Sequence, residues 1–218
     1  IAAREALRVR GIDPHNATVA IQGFGKVGYW AAVACESMGM KVVAVSDVHG
    51  AITGFTSIHD VWEHFKANGN INVPGSEKLT NEELLHFKAD VLIPAALADA
   101  ITEKTAPGIQ AKIVVEGANA PTTPEGDAIM KDKNILVVPD ILANAGGVIV
   151  SYFEWVQDKQ NYFWSAEEVK QNLNDILMKS VREVEAMAET KSVTWREAAM
   201  MLGVSRVAEA HKLRGLYP

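Results

Sequence analysis

The residues with the clearest chemical meaning are Gly23-Phe24-Gly25-Lys26-Val27-Gly28. They follow a β-rich run, Thr18-Val19-Ala20-Ile21-Gln22, and lead into a stretch with helical patterning. In that setting each glycine has its own task. Gly23 permits a tight turn, Gly25 lets the backbone approach a pyrophosphate, and Gly28 lets the helix pack close to the strand. The free N–H groups and partial positive charge of the helix start then face the phosphates. Asp47 ends the next β-rich run, where a carboxylate accepts hydrogen bonds from an adenosine ribose. The structural alternative is a glycine-rich turn beside an acid that only caps a loop. A carboxylate at 47 favours a free 2′-hydroxyl over a 2′-phosphate and so points to NAD. Lys26 and His49 could offset that repulsion, which leaves NADP open. Phe24, Lys26, Val27 and Val48 complete the contacts expected around the turn and the ribose.

The elements that must hold these residues alternate between strand and helix. Runs at 18–22, 41–46, 90–93, 112–115 and 135–138 are rich in Val and Ile without clean alternation, as in strands covered on both faces. Helical stretches at 27–38, 58–68, 81–88 and 124–132 lie between them. That order predicts an α/β fold of the Rossmann type: a doubly wound, mainly parallel sheet with crossover helices. Thr80-Asn81-Glu82-Glu83 has the form of a capping box, and Thr123 before Pro124 that of an N-cap with proline at the first helical position. The clearest loop is 68–76, dense in Asn, Gly and Pro.

From about Asn144 the pattern is wholly helical. Ser165-Ala166-Glu167-Glu168 opens a long helix with Val169, Leu173, Ile176, Leu177, Val181, Val184 and Met187 on one expected stripe, and Thr194-Trp195-Arg196-Glu197 opens another. The expectation is a single dinucleotide-binding domain over 1–218, with 144–218 a helical extension packed on it. The sequence starts at Ile1 inside an amphipathic helical pattern, which suggests a piece of a longer chain.

Composition narrows the function classes. The chain has 218 residues, of which 48% are hydrophobic, enough for a full core. A net charge of −6 and the lack of a Lys/Arg cluster argue against nucleic acid and anionic membranes as partners. The longest apolar runs, such as 91–98, are too short to span a bilayer. With one cysteine, Cys35, there is no internal disulfide and no Cys-based zinc site. His59 and His64 are poorly spaced as a ligand pair. No signal peptide is visible, and a cytoplasmic protein is expected.

Four further blocks carry a resemblance. Ile93-Pro94-Ala95-Ala96-Leu97, the run from Val115-Glu116-Gly117-Ala118-Asn119 to Pro124, the run from Val138-Pro139-Asp140 to Asn144-Ala145-Gly146-Gly147-Val148, and Ser151-Tyr152-Phe153-Glu154-Trp155 resemble the cofactor domain of hexameric glutamate dehydrogenases, in the family's order. The likeness runs from the opening helix to Arg214-Gly215. The residues themselves agree, because ligands of open parallel sheets bind at the carboxyl ends of the strands. Ala95 and Ala96 leave room there for a flat cofactor, and Asn119 and Asn144 supply paired donors and acceptors. Close packing, a turn asparagine and an N-cap are the plain structural readings of Ala95 and Ala96, Asn119 and Asn144 respectively.

The resemblance implies that Asn144 lies near the nicotinamide amide and ribose. It also implies that Val148 and Ser151 face the substrate, with the Ser151 hydroxyl on its distal carboxylate. Lys26 departs from the family, where many members carry Asn, and could reach a phosphate or point to solvent. The reaction implied is the reversible oxidative deamination of L-glutamate to 2-oxoglutarate and ammonia, carried out by a homo-oligomer, a hexamer. The family's reactive lysine and aspartate lie in a separate N-terminal domain with a Gly-Gly-Gly-Lys-like and a Pro-Asp-Val segment. Neither segment occurs in these 218 residues, so the substrate domain is expected to be absent and no catalytic residue is assigned. A leucine- or phenylalanine-type dehydrogenase and a non-catalytic nucleotide-sensing module are the competing readings.

Overall fold

The computed structural model describes residues 1–215. They fall into two compact units, one of Ala3–Asn144 and one made of the residues from Ala145 onward with Ile1 and Ala2. The first holds a seven-stranded sheet: β1 (Thr18–Gln22), β2 (Lys41–Asp47), β3 (Gly50–Thr53), β4 (Glu77–Leu79), β5 (Val91–Pro94), β6 (Ile113–Val115) and β7 (Leu136–Val138). The order across the sheet is β4-β3-β2-β1-β5-β6-β7. Strand β1 pairs in parallel with both β2 and β5, and β5-β6-β7 continue in parallel. Only β3 runs the other way, since it is antiparallel to both β2 and β4.

The five parallel strands match the runs expected from sequence. Strands β3 and β4 were not foreseen, being short and lacking a β-branched run. β3 is held by a two-residue reversal in which Asp47 pairs with Gly50, and β4 adds a charged edge.

The helices flanking this sheet are α1 (Ala2–Val9), α2 (Lys26–Ser37), α3 (Ile58–Asn68), α4 (Asn81–Leu85), α5 (Pro124–Asp132) and α6 (Asp140–Ala143), with a 3-10 turn at Ala106–Gly108. One face of the sheet buries Ala20, Ala44, Leu92 and Val114 against Leu84 and Leu85 of α4 and Met130 of α5. On the other face Ile21 meets α2 at Gly28. Helices on both faces explain why the strands are apolar on both sides. Helix α4 is shorter than the 81–88 expected. It stops at His86, whose backbone N–H bonds back to Glu82, while the ring is held at the Thr105 carbonyl, 3.0 Å away.

The helical unit contains α7 (Gly146–Gln160), α8 (Ala166–Lys191) and α9 (Trp195–Arg214). Ser165 and Thr194 open α8 and α9 with full capping boxes, as Thr80 does for α4, and Thr123 caps α5. Leu177, Val181 and Val184 of the expected α8 stripe are buried with Ala188, but Ile176 is exposed and leaves the stripe. It is the immediate neighbour of Leu177, about 100° away around the helix. Among the described residues, no helix is long and apolar enough to cross a membrane.

Candidate functional site

The chain leaves β1 for β2 on one side and returns through β5 on the other. In open parallel sheets the crevice for a ligand lies where the strand order reverses in this way, at the carboxyl ends. The residues at that edge are Gln22 at the end of β1 and Gly23 after it, Asp47 on β2, and Ala95 and Ala96 after β5. Glu116 to Asn119 follow β6, and Asp140 begins α6 after β7.

The three glycines of the turn behave differently. Gly23 has φ +91, a left-handed conformation, and a Cβ there would lie 2.8 Å from the Ala96 Cβ. A Cβ on Gly28 would lie 1.8 Å from the Gly23 carbonyl oxygen, so helix and turn could not keep their distance. Around Gly25 a Cβ would meet nothing within 4 Å. The first and third glycines are thus required by the protein's own packing, and the middle one leaves open space. Gly25 is also the N-cap of α2 and offers no side-chain acceptor, and the first turn carries no acid. The first N–H groups of α2 therefore keep their capacity for an anion.

Other predicted residues take varied positions. Phe24 is 1% exposed, its ring edge-on to Tyr29 and Trp62 at 6.1 Å from each, so only its backbone takes part in the turn. Lys26 and Val27 are exposed on the first turn of α2, and Val48 is exposed at the β2–β3 reversal. The Asp47 carboxylate already accepts from two backbone N–H groups, His49 at 2.7 Å and Ile71 at 3.0 Å. It shapes the loop beside the edge, and a carboxylate has acceptor sites to spare beyond two bonds.

Ala95 and Ala96 form the floor between β1 and β6. Ala96 packs on Gly23, and the Ala95 Cβ lies 3.3 Å from where a Cβ on Gly117 would be. The ladder continues past the strand ends, with Ala95 N–H donating to Gln22 and the N–H groups of Gly117 and Ala118 to Pro94.

Asn119 and Asn144 meet: Asn144 Nδ2 donates to Asn119 Oδ1 at 2.7 Å. The alternative role of Asn144 as N-cap of α7 is corrected. That position belongs to Ala145, which makes no side-chain cap, and Asn144 is the C-cap of α6. Val148 and Ser151 lie on α7 in the helical unit, three residues apart on one side of the helix, and both are exposed.

Several supporting residues were not singled out from sequence. Ser46, 1% exposed, accepts the Gly23 N–H through Oγ at 3.1 Å and so fixes the glycine turn. Its signal was a lone hydroxyl following the apolar run 42–45 of β2. Glu116, fully buried, accepts the Asp140 N–H at 2.9 Å, and Asp140 accepts the Ala120 N–H at 2.8 Å. These bonds tie the loops after β6 and β7 together, as the asparagine pair also does. Cys35 lies on α2, and burial pushes its thiol up to about 11, which leaves it protonated and inert as a nucleophile at neutral pH.

Comparison with known proteins settles the family. Residues 1–215 match the family described as Glutamate/Leucine/Phenylalanine/Valine dehydrogenase. The chain belongs to that family. A glutamate dehydrogenase of Thermotoga maritima is 50% identical over 218 residues, covering 98% of this chain and 52% of the relative. An NAD-specific glutamate dehydrogenase of Clostridioides difficile is 41% identical over 225 residues, covering 100% of this chain and 53% of the relative. Among solved structures, a hetero-hexameric glutamate dehydrogenase from Thermus thermophilus superposes with a TM-score of 0.93 at 36% identity, over 100% of this chain and 52% of that one. The chain thus spans about half the length of the curated relatives it matches.

Proposed function

We propose that this chain is the nicotinamide-dinucleotide-binding part of a glutamate dehydrogenase. The observation that carries the proposal is the contrast within the turn, where Gly23 and Gly28 are closed by the protein itself and Gly25 opens onto an uncapped helix start. When bound, the cofactor supplies the hydride-transfer chemistry. The turn and the first N–H groups of α2 hold the pyrophosphate. Asp47 takes the adenosine ribose hydroxyls with its remaining acceptor capacity, which favours NAD, in keeping with the NAD-specific relative. The bond between the asparagines leaves Oδ1 of Asn144 and Nδ2 of Asn119 free, an acceptor and a donor that complement a carboxamide. Val148 and Ser151 face the amino-acid substrate, Ser151 through its hydroxyl.

In the whole enzyme the reaction is the reversible oxidative deamination of L-glutamate to 2-oxoglutarate and ammonia. The whole enzyme is a hexamer, by analogy with the Thermus protein, and its setting is cytoplasmic. These 218 residues hold no Gly-Gly-Gly-Lys-like segment, so this chain binds and orients the cofactor without turning substrate over.

Titration with NADH and with NADPH, read by nicotinamide fluorescence, tests the reading. Saturable NADH binding that exceeds NADPH binding is expected. Equal or tighter NADPH binding would overturn the role of Asp47, and binding of neither would overturn the dinucleotide site. Glutamate-dependent NADH formation by this chain at the rate of an intact enzyme would contradict the binding-only role.

A further inference from the structure

At the opposite, amino-end edge of the sheet lies a cleft of about 450 Å³ that the dinucleotide reading does not use. Lys112 and Ile135 immediately precede β6 and β7, Arg10 and Ile12 follow α1, and Ile109 follows the 3-10 turn. The volume is in the range of small-molecule sites. Its lining brings the half-buried Ile12, and the buried Ile109 and Ile135 behind it, together with three cations, Arg10, Lys112 and Lys133, and it contains no acid. In a chain with a net charge of −6, that concentration of one sign is local.

The three cations are not equivalent. Lys112 is paired with Asp90 at 2.9 Å and is largely neutralised. Arg10 and Lys133 have no carboxylate within ion-pair distance among the described residues. Arg10 Nη2 donates to the Asn134 carbonyl at 2.7 Å and both Nη atoms reach Asn134 Oδ1 at 3.4 Å, while Lys133 Nζ places its three protons on the carbonyls of Ala106, Pro107 and Ile109 at 3.5, 2.6 and 2.7 Å. Carbonyl oxygens fix the position of a cation without cancelling its charge. Arg10 Nε is buried without a partner, so the guanidinium is held but not fully satisfied. Two pre-ordered cations without a carboxylate partner, beside the half-buried Ile12, favour an anion with an apolar body, because little side-chain freedom remains to be lost on binding. A guanidinium also matches the oxygen pair of a carboxylate or phosphate.

We propose that this cleft binds a small organic anion, its phosphate or carboxylate at Arg10 within the positive field of Lys133 and its apolar body against Ile12. The site is separate from the dinucleotide turn and does not depend on that reading.

The test is calorimetric titration of the 218-residue chain carrying Gly25→Val, so that the glycine turn does not contribute. The probes are phenyl phosphate, phenylacetate and inorganic phosphate. Binding of phenyl phosphate or phenylacetate, weakened by at least about tenfold in Arg10→Gln and by added salt, is expected. Which of the two binds more tightly identifies the head group. Thermal unfolding shows whether Arg10→Gln is still folded. If it is not, Ile12→Glu, which adds a carboxylate at the half-buried rim, must produce the same loss. Absence of binding by both aromatic probes, inorganic phosphate binding as tightly as phenyl phosphate, or binding indifferent to these substitutions would overturn the proposal.

Discussion

Helix α5 and helix α2 both begin beyond a parallel strand of the same sheet, from N-cap residues with extended backbone. Thr123 has φ −74 and ψ 159, and Gly25 has φ −80 and ψ −162. At α5 the Thr123 hydroxyl accepts the Gly126 N–H at 3.2 Å and proline fills the first helical position. At α2 no side chain answers the first N–H groups. A glycine N-cap is only a few tenths of a kcal/mol worse than serine or threonine, so the open helix start costs about that much in stability. The difference between the two helix starts is one of closure: α5 is capped by the chain, and α2 is not.

Substitutions at these helix starts break or sharpen that contrast. The largest effect is expected from Gly28→Ala. Its methyl group would stand 1.8 Å from the Gly23 carbonyl oxygen, and overpacking of this kind against backbone costs about 3 kcal/mol or more. Chemical denaturation followed by circular dichroism would show it as a large loss of stability whether or not cofactor is present.

Ser46→Ala leaves the Gly23 N–H without its buried partner and should cost about 1–2 kcal/mol, with weaker NADH binding because the turn is no longer held. A change in stability with cofactor affinity untouched would show that the turn keeps its shape without Ser46.

Thr123→Ala should cost about 1 kcal/mol in the same denaturation experiment and leave NADH binding unchanged, since α5 is capped for stability alone.

The smallest effect concerns pH. The backbone N–H of Ser165, and after it the Ser165 hydroxyl, hold the Glu168 carboxyl below its ordinary value, more than offsetting a small opposing effect of burial. A depressed folded-state pKa contributes stability that is present above the unfolded value of 4.5 and is lost as pH falls through the folded one. Thermal melts of Glu168→Gln should therefore depend less on pH below that value than those of the parent. The start of α2, with no acid in its first turn, has no such dependence.

Much of this architecture could be read from the sequence, because local chemistry and tertiary structure agree there. The glycine turn sits between a strand and a helix as its spacing required, and Thr80, Thr123, Ser165 and Thr194 cap the helices expected of them. What escaped depends on partners distant in the chain. Strand β3 exists because β2 offers an edge to Gly50–Thr53, and nothing in those residues alone demands a strand. Ser46 acquires its role only when β2 lies beside β1. Asp47 divides its carboxylate between a neighbour and Ile71 across the loop. Asn119 and Asn144 read singly as turn and cap residues, and their mutual bond arises only because the ends of β6 and β7 bring the two amides within 2.7 Å.

The measurement that bears most directly on the account is NADH binding by Gly25→Val beside the parent chain, with the unfolding free energy of each. A Cβ at 25 would meet nothing within 4 Å beyond its chain neighbours, so the variant should fold, with a loss below about 1 kcal/mol from the poorer N-cap. NADH affinity should fall by at least about tenfold, which is about 1.4 kcal/mol. NADH affinity equal to the parent's in a folded Gly25→Val chain would contradict the account, because the open helix start would then not be where the dinucleotide lies.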